Sequence, residues 1–360
     1  MRKVEEFYVR NLPLGAIIIE DIIDNGTLLI GKHCEVTSTV LDALKNYKGK
    51  VKVEFDIPDS VFNTSTNDNY VYTMNDDIKT RALVGVKYIH SSPRTEEAVD
   101  IAHDISELLV SSIKNSSSIS IDLNKIKVSD DYTFKHCVDV ATMSVIVAKH
   151  LGWSEKMINS VAVAGILHDI GKVGIPNEIL NKPGKLTTEE FNIIKQHPVI
   201  GYEILKNNND VSEETRLGVL EHHEKCDGNG YPYGKTGSQI TLQGKLLGIV
   251  DVYDALVTKR PYRNDIITPA KAFDIIMSMY GQFDIPILNA FLSCLVIYPD
   301  DSTILMSDNT LCRVLRQNLS YPLRPVVQNV LTGEVIDLLC DTNYMSLTVL
   351  CMVKEDNDVE

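Results

Sequence analysis

The sequence predicts a mainly α fold. A helical core at about 96–298 is flanked by a small β-rich N-terminal domain (1–70) and a β-rich C-terminal extension (299–360), with 71–95 as a linker. Three observations carry this reading. Between 96 and 298 the apolar residues recur at helical spacing: Ala98, Ile101, Ile105 and Leu108-Leu109 share one face. Before that region, short β-branched runs (LGAIIIEDII, TLLIG, VKVEF) alternate with turn signals. After Pro299 the runs are short and β-like again: STILMS, TLCRVLRQ, PVVQNV, GEVIDLL and SLTVLCMV.

Taken in order, Asn25-Gly26 between two apolar runs predicts a hairpin, and a helix at 38–46 interrupts the strands. The polar stretch NTSTNDNYVYTMNDD (63–77) reads as loop, and SSIKNSSSIS (111–120) breaks the first long helix. Further helices are expected at 132–150, 155–169, 187–206, 212–223, 242–258 and 268–279. Thr187 with Glu190 makes a capping box, and Ser212 is followed by acids in a first turn. No internal repeat is evident.

Composition narrows the function. With 44% hydrophobic residues the 360-residue chain has the make-up of a soluble protein. A net charge of -14 argues against adhesion to a nucleic acid polymer or an anionic membrane, so an anionic ligand must be captured by local cations or metals. No apolar run approaches the ~18 residues of a membrane span, and MRKVEEFYVRN lacks the apolar core of a signal peptide. Seven scattered cysteines without a CxxC suit a reducing compartment rather than a disulfide framework or zinc ribbon. A cytoplasmic location is the expectation.

The chemistry concentrates in the helical region. His136 lies near a helix start, His168-Asp169 ends a helix before Ile170-Gly171-Lys172, His197 directly precedes Pro198, and His222-His223 ends another helix. Asp251 sits within the apolar LLGIVDVYDALV, with Asp254 one turn on. A carboxylate there is costly to bury unless it is paired or bound to a cation; an interhelical salt bridge is the plain alternative. His33, His90, His103 and His150 read as surface or satisfied core residues. Five histidines and two aspartates suit Fe, Mn, Zn or Ni rather than Mg or Ca. Seven ligands exceed the need of one ion with an open site and match two divalent ions bridged by a carboxylate, Asp169, and a hydroxide. Such a pair serves phosphate-ester hydrolysis. Lys172 is placed to reach a phosphate or leaving oxygen, and Arg260 and Arg263 around a Pro-Tyr turn could clamp phosphate. Solvated side chains are the bland reading of all three.

The segments YTFKHCVDVA, LHDIGKVGIPNEILNKPGKLT, IIKQHPVIGYEIL, EHHEKCDGNGYP and LLGIVDVYDALVTKRPYR resemble, in order and spacing over roughly 170 residues, the HD-GYP family. These are metal-dependent phosphodiesterases that degrade cyclic di-GMP. The resemblance implies an HD-type helical bundle and a phosphodiesterase that opens cyclic di-GMP to pGpG, and further to GMP in some cases. Its metal ligands would be His136, His168, Asp169, His197, His222, His223 and Asp251. Lys172, Arg260 and Arg263 would contact phosphates, Gly230, Tyr231 and Pro232 would shape the pocket, and Asp254 would support a ligand from behind. Some members carry a Glu and a third metal where this chain has Tyr132, so two ions, iron or manganese first, are expected. Alternatives are another cyclic dinucleotide such as 3′,3′-cyclic GMP-AMP, or a catalytically weak sensor. The N-terminal β domain is the candidate surface for a second copy or a regulatory partner. The C-terminal β-segment departs from the usual turn, with Asp300-Asp301 after its Tyr-Pro.

Overall fold

Two kinds of apolar pattern build two units. One joins residues 1–67 with 297–360, and the other spans 68–296. The computed structural model describes residues 2–24, 26–56, 70–113, 119–121, 132–258, 267–318 and 321–353.

In the first unit, β1 (Arg2–Tyr8), β2 (Ile17–Ile18) and β5 (Lys50–Asp56) form an antiparallel sheet ordered β1-β5-β2. The expected hairpin is β3 (Ile22–Asp24) with β4 (Thr27–Ile30); Asp24 faces Thr27 across it, and Gly26 takes φ +80° in the turn. Helix α1 (Ser38–Leu44) starts on the Thr37 side chain and buries Leu44. The C-terminal runs become β8 (Thr303–Met306), β9 (Leu311–Arg316), β10 (Val326–Asn329), β11 (Val335–Asp337) and β12 (Val349–Met352), an antiparallel sheet ordered β11-β10-β9-β8-β12. Phe7, Leu12, Ile18, Leu44 and Val53 share one core with Leu305, Leu311 and Val353. The two terminal segments, read from sequence as separate, are thus one unit. Each alone is too small to bury its apolar face, and pooling them makes a core.

The second unit is helical. β6 (Tyr70–Tyr72) pairs in parallel with β7 (Ile119–Ile121). Helix α2 (Asp76–Ser91) packs on α3 (Glu96–Ser112), so residues 71–95 are not a linker. Asn75 caps α2, and its buried Ala82, Val86 and Ile89 recur at helical spacing, a pattern the polar approach to the helix obscured. Next come α4 (Tyr132–His150), α5 (Glu155–Leu167), the short α6 (Asn177–Leu180), α7 (Thr188–Ile194), α8 (His197–Leu205), α9 (Glu213–Glu221), α10 (Leu242–Val257), α11 (Pro269–Ser278) and α12 (Ile285–Cys294). Every residue from 136 to 148 in α4 is buried, and α5, α10 and α12 pack around it. The single helix expected at 187–206 is two. Pro198 opens α8 instead of kinking a longer helix, since proline in a first turn loses no hydrogen bond. Among the described residues no helix is long and apolar enough to cross a membrane.

Candidate metal centre

The helical unit brings the seven expected ligand residues together. His136 comes from the first turns of α4, His168 caps the C-terminus of α5, and Asp169 follows it. His197 begins α8, His222 caps α9 with His223 beside it, and Asp251 projects from α10. Ligand atoms of His136, His168 and Asp251 lie within 4.8 Å of one another, as do those of His197, His222 and His223. Asp169 stands between the two groups, with Oδ2 at 3.4 Å from His168 Nε2 and Oδ1 at 3.5 Å from His197 Nε2.

The hydrogen bonds behind the rings fix which nitrogen is available. Nδ1 of His168, His197 and His222 donates to the carbonyl three residues earlier, on Gly165 (2.8 Å), Ile194 (2.8 Å) and Val219 (2.7 Å). A neutral imidazole that donates from Nδ1 presents a bare lone pair at Nε2. Yet His197 Nε2 lies 3.2 Å from His222 Nε2, and His168 Nε2 lies 3.3 Å from His136 Nε2. The bare lone pairs of His197 and His222 repel at that distance unless a cation lies against them, so the donor set fits a divalent-metal site. Asp254 supports it from behind: His136 Nδ1 donates to Asp254 Oδ2 at 2.6 Å while Nε2 faces Asp251 Oδ1 at 3.0 Å.

Electrostatics follow the same plan. Burial, helped by neighbouring imidazoles, drives His222 well below the ordinary histidine value, and burial pushes His197 down to about 4 and His223 to about 3. All three are neutral imidazoles at neutral pH. His136 goes the other way. Burial lowers it, but hydrogen bonds and charge from Asp251 and Asp254 outweigh burial and raise it to about 10. Burial would raise Asp169, yet Lys172 and His168 hold it well below the carboxylate range. Lys172 Nζ is 2.5 Å from Asp169 Oδ2. Lys172 and His223 are the partly exposed members, with side chains 27% and 21% accessible, so they mark the mouth of the site.

Two glycines are required by close approach. A Cβ on Gly171 would lie 1.9 Å from the His197 carbonyl oxygen, so this glycine lets the turn after Asp169 (Ile170–Gly174) touch the start of α8. A Cβ on Gly230 would meet the Lys225 nitrogen at 2.3 Å, where the loop folds back on the end of the histidine pair. Tyr231, next along, lies flat on His223 with ring centroids 4.6 Å apart and planes 28° apart. The Tyr231-Pro232 peptide is cis.

Several contributors escape the sequence reading. Glu221, fully buried, accepts from Thr241 N and Oγ1 (both 2.7 Å) and from Lys235 Nζ (2.6 Å). Glu224 accepts from Tyr233 N (2.7 Å) and Lys235 N (2.9 Å). These acids bracket the histidine pair and pin the loop after it; the symmetric EHHE was the available signal. Cys137 Sγ lies within 4.8 Å of ligand atoms of His168 and Asp169, and burial pushes its thiol well up. His90, read as unremarkable, stands 3.8 Å from that sulfur. Arg260 and Arg263 lie outside the described residues, as does the side chain of Tyr132.

The family model for the HD domain matches residues 113–287, the stretch that carries all seven candidate ligands. The helical unit thus carries a match to the HD domain, and its motifs resemble those of HD-GYP proteins. It is 34% identical over 250 residues to a cyclic di-GMP phosphodiesterase of Pseudomonas aeruginosa, covering 69% of this chain and 60% of that one. Against a cyclic di-GMP phosphodiesterase of Thermotoga maritima it is 42% identical over 168 residues, 45% of each chain. A 3′3′-cGAMP-specific phosphodiesterase of Vibrio cholerae is 36% identical over 143 residues, 40% of this chain and 33% of that one. The chain thus spans about half the length of these relatives.

Proposed function

We propose that this chain is a metal-dependent phosphodiesterase that hydrolyses cyclic di-GMP to linear pGpG. The observation that carries the reading is the set of converging imidazole and carboxylate ligand atoms, split into two groups with one Asp169 oxygen toward each. His136, His168 and Asp251 would hold one divalent ion and His197, His222 and His223 a second, with Asp169 shared and iron or manganese as the occupants. Bound there, the pair would polarise phosphoryl oxygens and make water a nucleophile near neutral pH.

The remaining work falls to the chain itself. The three backbone carbonyls and Asp254 hold the imidazoles in their ligating tautomer and orientation. Lys172 stays protonated because Asp169 outweighs the effect of burial, and its position at the mouth lets the ammonium donate to a phosphate oxygen or the departing 3′ oxygen. Tyr231 covers the outer face of His223 and keeps water from that side of the ligand. Arg260 and Arg263 would add phosphate contacts.

The test is iron- or manganese-loaded protein with cyclic di-GMP, followed by chromatography of pGpG and GMP. Turnover by wild type and a drop of about three orders of magnitude in His168→Ala are expected, the scale of ~4 kcal/mol of lost transition-state stabilisation. Equal rates in the two proteins would sink the proposal. Similarity to the 3′3′-cGAMP-specific enzyme supports a second reading, 3′,3′-cyclic GMP-AMP as substrate, and parallel turnover rates decide between them.

A further inference from the structure

Beside the metal centre lies an aromatic and cationic group that the chemistry above leaves unused. Phe191, in the middle of α7, is 44% exposed. Leaving a phenyl ring that open forgoes burial energy, and α7 is otherwise firmly built. Thr187 and Glu190 form the capping box at its start, and Lys182 Nζ reaches both Glu190 carboxylate oxygens at 2.7 Å. Phe191 is therefore presented on a fixed helix. Its ring meets that of Tyr231 edge-on, with centroids 6.3 Å apart and planes at 78°, and Tyr231 in turn lies on His223. Lys195, at the end of α7, places Nζ 4.8 Å from the Phe191 centroid and 5.9 Å from that of Tyr231.

We propose that Phe191 and Lys195 form a base-recognition element in which a purine of the substrate stacks on Phe191 while Lys195 donates to the acceptor edge of that purine. This inference rests on the proposed phosphodiesterase reading and adds to it the residues that choose the base. The continuous path His223, Tyr231, Phe191 runs outward from the outermost metal ligand, as a base linked through its ribose to a phosphate at the centre would. Stacking accepts any base, so Phe191 supplies affinity without choice. The ammonium supplies choice. Guanine offers two acceptors, O6 and N7, on one edge, whereas adenine sets an amino donor beside N7, and a donor facing an ammonium is disfavoured. The element therefore favours guanine at this subsite.

The test uses the metal-loaded full chain with cyclic di-GMP and cyclic di-AMP. Phe191→Ala should raise KM for cyclic di-GMP about tenfold, within the range of base-on-aromatic stacking, with kcat changed less than about twofold. Phe191→Trp should restore KM. Lys195→Met should lower the ratio of kcat/KM for cyclic di-GMP over cyclic di-AMP by about tenfold. An unchanged KM in Phe191→Ala, or equal losses on both dinucleotides in Lys195→Met, would overturn the inference while wild-type turnover leaves the phosphodiesterase reading standing. Should wild type turn over neither compound, that reading fails by itself. Calorimetric titration of cyclic di-GMP into wild type and Phe191→Ala then decides the inference separately: tenfold weaker binding by the variant supports it, and equal affinity or no binding by either protein overturns it.

Discussion

The two units bury their interiors equally well and fill them with opposite chemistry. In the β unit, Leu12, Ile18, Leu44, Val53 and Leu305 are fully buried and apolar. In the helical unit, His168, Asp169, His197, His222 and Asp254 are buried just as deeply among apolar helices. The first kind of burial stabilises the fold at about 25 cal/mol per Å² of apolar surface. The second kind costs free energy, which a bound cation offsets. Equal burial thus marks a stability core in one unit and a candidate metal centre in the other.

The largest effect that could break this contrast is on turnover and metal content. His222→Ala should lose about three orders of magnitude in cyclic di-GMP hydrolysis together with bound metal by elemental analysis, because it empties one ligand group. Full metal content in the active fraction of that variant would remove the contrast. Saturating manganese should raise the wild-type stability by ~4 kcal/mol at a thousand times the dissociation constant, and much less in His222→Ala. Melting curves with and without metal read this directly.

pH sharpens the comparison in metal-stripped protein. Burial holds His197 at about 4 and His223 at about 3. Both lie below the ~6.5 of an unfolded histidine, so below that pH the unfolded chain binds more protons than the folded one. Stability should therefore fall as pH drops from 6.5 towards 4, at ~1.4 kcal/mol per pH unit per histidine. His136, raised to about 10, contributes stability that is complete below 6.5 and lost as pH climbs from there through 10, so it does not alter the acid window. Urea midpoints at pH 7 and pH 4.5 check the sign; an unchanged midpoint would contradict it.

Truncating the apolar interior acts on stability alone. Leu305→Ala should cost ~2–5 kcal/mol in urea unfolding with unaltered metal stoichiometry. The smallest effect concerns thiols. Cys34 and Cys340 are exposed and should take up maleimide at once in folded protein. Cys294 and Cys312 are buried and pushed up to about 12, so peptide mapping should find them unlabelled until the chain unfolds.

Much of the helical unit was legible in the chain because its signals are local. The Thr187 capping box forms as spaced, and the helices near 132–150, 155–169 and 242–258 sit within a residue or two of their expected ends. The helix at 76–91 was missed because the polar run before it reads as loop, and its apolar face has meaning only against α3 and α4. The seven candidate ligands stood out because histidines at helix ends and a carboxylate in an apolar helix conflict with local propensity. Cys137 and His90 did not stand out, since each alone fits an ordinary core, and only the packing of α2 on α4 brings them together.

The sequence by itself determined the mainly helical core, the β-rich ends, the candidate ligand types and the loop that follows the histidine pair. These are properties of spacing, capping and residue chemistry, and they operate over a few turns of chain. Tertiary structure alone decided that the two ends share one core, that Asp169 turns one oxygen to each ligand group, and that Tyr231 covers His223. Contacts between residues some thirty to a hundred positions apart are set by how helices pack, and helical periodicity shows which face is buried without showing against what.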